Sequence, residues 1–131
     1  MGQTSKSTPG RPTTKALGDA AETHALHYLQ AQGLALVKRN YRTPGRGGGE
    51  IDLVMRAADG TLVFVEVRQR RSQDHGGALA SITHTKQRRI IWAARHFIAR
   101  LQNLPPCRFD VVVLEQDAAP QWIQAAFDAT A

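Results

Sequence analysis

Polar and apolar residues alternate along this chain with two different periods. In "LGDAAETHALHYLQAQG" the apolar positions return at helical spacing and predict a first helix over residues 17–32. Asp19 and Glu22 suit its N-terminal end, and Gly33 supplies a stop. Glu22 continues the stripe of Ala25, Leu26 and Leu29, which puts an acid on the core-facing line. "LALVKRNYR" (34–42) predicts a strand, and "TPGRGGG" (43–49) a flexible glycine loop. A hairpin follows, with strands near 50–57 and 61–70, and then a loop at "SQDHGG". A long helix is expected from Ser81 to Gln102, with Gln87, Ile91, Ala94, Ile98 and Leu101 facing inward and Pro105 and Pro106 beyond its end. "RFDVVVLE" (108–115) is almost continuously apolar, the mark of a strand covered on both faces. "QWIQAAF" (121–127) is a last element whose type the pattern leaves open. The order α-β-β-β-α-β describes an α/β (α+β) fold, a mixed sheet flanked by helices.

Within the hairpin, Glu50, Asp52 and Glu66 interrupt residues that a buried sheet would select. "Ala58-Asp59-Gly60" suits a three-residue turn with Gly60 in the left-handed conformation. Residues 57 and 61 then pair, which sets Asp52 opposite Glu66 and Glu50 opposite Arg68. Two carboxylates facing each other across a strand pair repel. A raised pKa, the neighbouring Arg68, or a hard cation such as Mg²⁺ or Mn²⁺ could relieve the repulsion, with Glu22 offering a third oxygen ligand. A metal held in this way serves phosphodiester hydrolysis, and a cation at Arg68 would steady the attacked phosphate. A salt-bridge network on an exposed sheet edge is the plainer reading for Glu50 and Arg68.

The charge balance points the same way. There are 17 Lys+Arg against 11 Asp+Glu, a formal charge of +6, which suits a nucleic-acid partner. Lys38, Arg39, Arg42 and Arg46 precede the acids, Arg70 and Arg71 follow them, and Lys86, Arg88 and Arg89 open the second helix. All nine are candidates for phosphate contacts. Residues 1–15 carry little that could be buried and are expected to form a disordered basic arm ahead of a single domain over 16–131. Cys107 is the single cysteine, so no internal disulfide is available, and a reducing cytoplasm is the expected setting. No apolar run has membrane-spanning length, and residues 1–15 lack the apolar core of a secretion signal. Trp92 and Trp122 read as core residues rather than base-stacking platforms.

An acid on a helix, "E-I-D" on one strand and "E-V-R" on the next resemble the PD-(D/E)XK nuclease superfamily. "GGEIDLV", "LVFVEVRQRRS" and "TKQRRI…RFDVVV" more closely resemble the YraN-like family of uncharacterised proteins, from about Leu17 to Phe127. The resemblance implies a restriction-endonuclease-like αβββαβ core similar to that of Holliday-junction resolvases, which work as dimers, so a homodimer is part of the expectation. It implies Asp52 and Glu66 as metal ligands, Glu22 as the helical acid, Arg68 in the place of the motif lysine, and Gln87 where some relatives carry a glutamine. Arginine stays protonated and cannot act as a general base, although it can bind phosphate. Lys86 could restore an ammonium only by reaching in from about 100° off the Gln87 line. The expectation is therefore a metal-dependent endonuclease on DNA, including branched or recombination intermediates. The alternatives are a nucleic-acid-binding module on a nuclease scaffold that does not cleave, and an interaction adaptor with inert acids.

Overall fold

The computed structural model describes residues 13–70 and 82–129. The segment 1–12, most of the expected arm, lies outside the described residues, as do Arg71, the "SQDHGG" loop and Ser81. The first helix, α1 (Thr14–Ala31), begins earlier than the apolar pattern predicts because the Thr13 side chain caps it, accepting from the Ala16 N–H at 3.0 Å. Thr14 and Lys15 are therefore helical and not part of an arm. At its other end Gly33 takes φ 101°, the Leu34 N–H reaches the Leu29 carbonyl and the Gly33 N–H reaches that of Gln30. This left-handed cap is one that glycine adopts without strain.

Strands β1 (Ala35–Arg42), β2 (Glu50–Arg56), β3 (Leu62–Arg70), β4 (Cys107–Glu115) and β5 (Gln121–Phe127) form one sheet in the order β1-β2-β3-β4-β5. Neighbours are antiparallel except β3 and β4, which run parallel and are joined through α2 (His84–Ile98). The fold is α+β, with a mixed five-stranded sheet and two helices. Alternating residues of the central strands serve opposite faces. Leu53, Met55, Val63, Val65, Val112 and Leu114 pack with Ala25, Leu26 and Leu29 of α1. Val54, Leu62, Phe64 and Phe109 pack with Ile90, Ala93, Ala94 and Phe97 of α2. β4 is buried from Phe109 to Leu114, the doubly covered strand that its apolar run predicts.

Three elements differ from or add to the sequence reading. Thr83 caps α2, so the helix is shorter at both ends than 81–102. Its buried face is broader than the predicted line: Ile90, Ala93 and Phe97 join the expected Ile91 and Ala94, whereas Gln87, Ile98 and Leu101 are only half-buried. The loop over 43–49 is closed at its base. Thr43 and Gly49 exchange backbone and side-chain hydrogen bonds, the Gly49 N–H donating to Thr43 Oγ1 at 2.6 Å. Finally, 121–127 is a strand, and buried Asp110 on β4 holds it by accepting from Trp122 Nε1 at 2.9 Å and from the Ala125 N–H at 3.0 Å.

Candidate functional site

The site is a fork in the sheet. β2 and β3 pair in the expected register from Leu53↔Val65 to Arg56↔Leu62, around a turn in which Gly60 has φ 94°. One step further the ladder stops, while β3 continues along β4 as far as Arg70. At that point the Val67 N–H donates to Asp52 Oδ2 at 2.8 Å, so a side chain supplies the acceptor that a continued ladder would have provided. Extended by one step, the register places Asp52 opposite Glu66, and the two carboxyl groups are close enough for each to perturb the other's ionisation.

Glu66 is 3% exposed, and Lys86 Nζ lies 3.1 Å from its Oε2, with Arg68 Nη1 at 3.7 Å. Burial and the negative charge of Asp52 raise the Glu66 pKa to about 7, against the pull of Lys86. Burial also raises that of Asp52, opposed by its bond from Val67. Lys86 reaches the acids because it lies in line with Ile90, Ala93 and Phe97 at helical spacing, on the face that α2 turns to the sheet. The Gln87 line is the wrong reference for it. Gln87 itself points elsewhere, its Nε2 donating to the Ile82 carbonyl at 3.1 Å.

Glu50, Asp52, Glu66, Lys86, Arg89 and Ile90 line one recess, and Glu50 also borders a second one with Glu22, Asp19 and Asn40 of the α1 side. Glu50 does not pair with Arg68 as the hairpin register suggests. Because β2 has already parted from β3, Glu50 pairs with Arg42 of β1 at 3.4 Å. Arg39 Nε lies 3.5 Å from Glu22 Oε1, and its Nη2 donates to the Asp19 carbonyl and to Thr23 Oγ1, each at 2.8 Å. Arg39 thus anchors α1 to β1, where a phosphate contact was expected. Glu22 Oε1 is buried with no hydrogen-bond partner, and burial followed by the charge of Asp52 raises this acid's pKa too.

The other expected phosphate contacts are spread out. Lys38 and Arg46 are exposed on β1 and in the following loop, and Arg70 borders a different pocket with His24 and Glu115. Arg89 Nε donates to the Gly48 carbonyl at 3.2 Å, and Arg88 is exposed beside it. Among the described residues, no three His, Cys, Asp or Glu side chains gather closely enough to hold an ion by themselves. What fits a hard cation is the facing Asp52–Glu66 pair, whose like charges a cation would offset, with water or phosphate completing the shell. The Oε1 of Glu22, ion-paired with Arg39, is a further oxygen on the α1 side.

The sequence reading missed two contributors. Gly49 lets the loop touch α2: a Cβ there would sit 2.2 Å from the Arg89 carbonyl oxygen. Trp92, read as a core residue, is 57% exposed.

The family model described as "Uncharacterised protein family UPF0102" matches residues 21–114, well over half the chain. The chain belongs to the UPF0102 family. The UPF0102 protein of Albidiferax ferrireducens is 68% identical over 117 residues, covering 89% of this chain and 91% of its own length. That of Polaromonas naphthalenivorans is 60% identical over 130 residues, covering 93% and 85%, and that of Paracidovorax citrulli is 59% identical over 135 residues, covering 98% and 99%. The YraN-like resemblance read from the sequence therefore holds at the level of the family. The UPF0102 match runs from the residue before Glu22 to the end of β4's buried run, and so includes Asp52, Glu66, Lys86, Trp92 and Asp110. No helix among the described residues is long and apolar enough to cross a membrane.

Proposed function

We propose that this UPF0102 protein is a metal-dependent nuclease of the PD-(D/E)XK type, built on a restriction-endonuclease-like core and acting on DNA, branched or recombination intermediates included. The observation that carries this reading is the facing Asp52–Glu66 pair of buried acids at the sheet fork, with Lys86 Nζ 3.1 Å from Glu66. Paired buried acids with raised pKa values and a lysine at hand are costly for stability and are arrangements that chemistry uses. Asp52 and Glu66 would hold Mg²⁺ or Mn²⁺, which lowers the pKa of a bound water and offsets charge on the phosphate. The chain's own groups do the rest. Lys86 supplies the ammonium that Arg68 cannot replace as a proton-exchanging group, and Arg68 offers a fixed guanidinium to a phosphate oxygen. Glu22, held by Arg39, shapes the α1 side of the fork.

The test is incubation of the full chain with branched, single-stranded and duplex DNA and Mg²⁺ or Mn²⁺. Cutting by wild type that disappears in Asp52→Asn and Glu66→Gln supports the reading. Equal cutting by those variants assigns the activity to a contaminant. The lack of a three-residue ion cage among the described residues favours a second reading, a non-cleaving nucleic-acid-binding module. In that case salt-dependent DNA binding occurs without any cutting.

A further inference from the structure

α2 carries a second arrangement that the fork does not use. Lys86, Arg89, Trp92 and Arg95 follow one another at three-residue spacing, a continuous ridge along a helix, and they rise over about 13.5 Å. The ridge begins at the acids, because Lys86 and Arg89 line their recess, and it turns outward to Trp92. On the far side of the Trp92 ring, Arg88, Ile91, Trp92, Arg95 and Ala129 line a groove. The ring is more than half exposed and packs against no other aromatic ring among the described residues, unlike Phe97 on the same helix, which meets Tyr41 and Phe64. The helix, "HTKQRRIIWAARHFI", holds no acid, so none of its cations can pair along it. Arg88 and Arg95 make no ion pair among the described residues, and Arg89 spends only its Nε, on the Gly48 carbonyl.

A flat apolar ring between guanidinium groups is complementary to a nucleic-acid strand whose bases are free to stack and whose phosphates recur on either side. A blunt duplex offers the charge but hides the base faces. We propose that the α2 ridge is a track for single-stranded nucleic acid leading to the fork, with an unpaired base stacked on Trp92 and phosphates on Arg88, Arg89 and Arg95. The proposal rests on the nucleic-acid reading of the site, and it specifies the substrate as one with an unpaired segment next to the scissile bond.

The test is fluorescence anisotropy with the full chain in EDTA, using short oligothymidine, oligouridine, a blunt duplex and inorganic polyphosphate, together with quenching of tryptophan emission. The variants are Trp92→Ala and Trp92→Phe. Trp92 is exposed, so unchanged circular dichroism and melting are expected for both Trp92 variants. The expected result is quenching by either oligonucleotide, at least a tenfold weakening of single-strand binding in Trp92→Ala, most of the affinity kept in Trp92→Phe, and unchanged duplex binding. Trp92-dependent binding without metal-dependent cutting sustains the track and removes only the nuclease reading. Single-strand binding that Trp92→Ala leaves unchanged overturns the proposal. So does an equal loss of duplex and single-strand binding, equal quenching by polyphosphate, or a wild-type dimer that Trp92→Ala converts to monomer, which would mean that a second copy covers the ring.

Discussion

Lys86 Nζ lies 3.1 Å from Glu66 Oε2, and it is the nearest positive charge to an acid that is almost wholly buried. Its attraction opposes the burial and the Asp52 repulsion that raise the Glu66 pKa. In Lys86→Met the Glu66 titration, followed by carboxyl ¹³C NMR, should move further above about 7. Lys86→Arg should largely preserve the midpoint. If the fork cleaves DNA, Lys86→Met should also lose activity on the order of 10²-fold, the usual effect of deleting one electrostatic contact to the reacting group.

Glu66 sets a pH dependence of stability with a definite sign. Its pKa is raised from 4.5 to about 7, so the folded state holds this proton more tightly than the unfolded state. The resulting stability is complete below about pH 4.5 and is lost as the pH rises through about 7, by on the order of 3 kcal/mol. Urea unfolding from pH 5 to 8 should show Glu66→Gln gaining on wild type across that range. Mg²⁺ or Mn²⁺ should restore wild-type stability at the high end, because a cation binds the pair best once the proton has left.

Gly49 is fixed by closeness, not by an unusual φ. An alanine there would put Cβ 2.2 Å from the Arg89 carbonyl oxygen and 2.8 Å from the Ala93 backbone nitrogen. Both are helix backbone atoms and cannot step aside alone. Gly49→Ala should destabilise the fold by roughly 1–3 kcal/mol in denaturant titration and push the start of α2, with Lys86, away from the fork. Gly45, whose Cβ would meet nothing but whose φ is 90°, should show the smaller conformational penalty of about 1 kcal/mol on the same change.

Asp110 is fully buried and accepts from Arg108, Trp122 and the Ala125 N–H. Removing it leaves a guanidinium and an indole N–H without their partner. Asp110→Ala should cost about 3–5 kcal/mol, release β5 and shift Trp122 emission to the red. Trp92, already in water, should contribute no such shift.

The hairpin acids were legible from sequence because everything that positions them is local. A three-residue turn with a left-handed Gly60 fixes the register, and period-two alternation does the rest. The reach of Lys86 was harder to read. The predicted stripe holds at Ile91 and Ala94, but the packing of Ile90, Ala93 and Phe97 beside them, which brings Lys86 to the fork, is a tertiary contact. Gly49 looked like ordinary loop glycine because the sequence does not reveal that a helix passes against it. β5 resisted assignment since its pairing depends on Asp110, a tertiary contact, and on Ala125 at φ 51°. Hydrophobicity alone put Trp92 inside, although its cationic neighbours at three- and four-residue spacing already marked the outer face.

The short turn between β2 and β3 has a kinetic consequence. Hairpin closure is a fast local event, whereas the parallel β3–β4 pairing must wait for the whole crossover through α2 to be laid down. Asp52 and Glu66 are thus brought together by local pairing, whereas the ammonium of Lys86 depends on the longer-range docking of α2. Stopped-flow refolding is therefore expected to be faster in mildly acidic solution, where a proton already offsets the repulsion between the two acids.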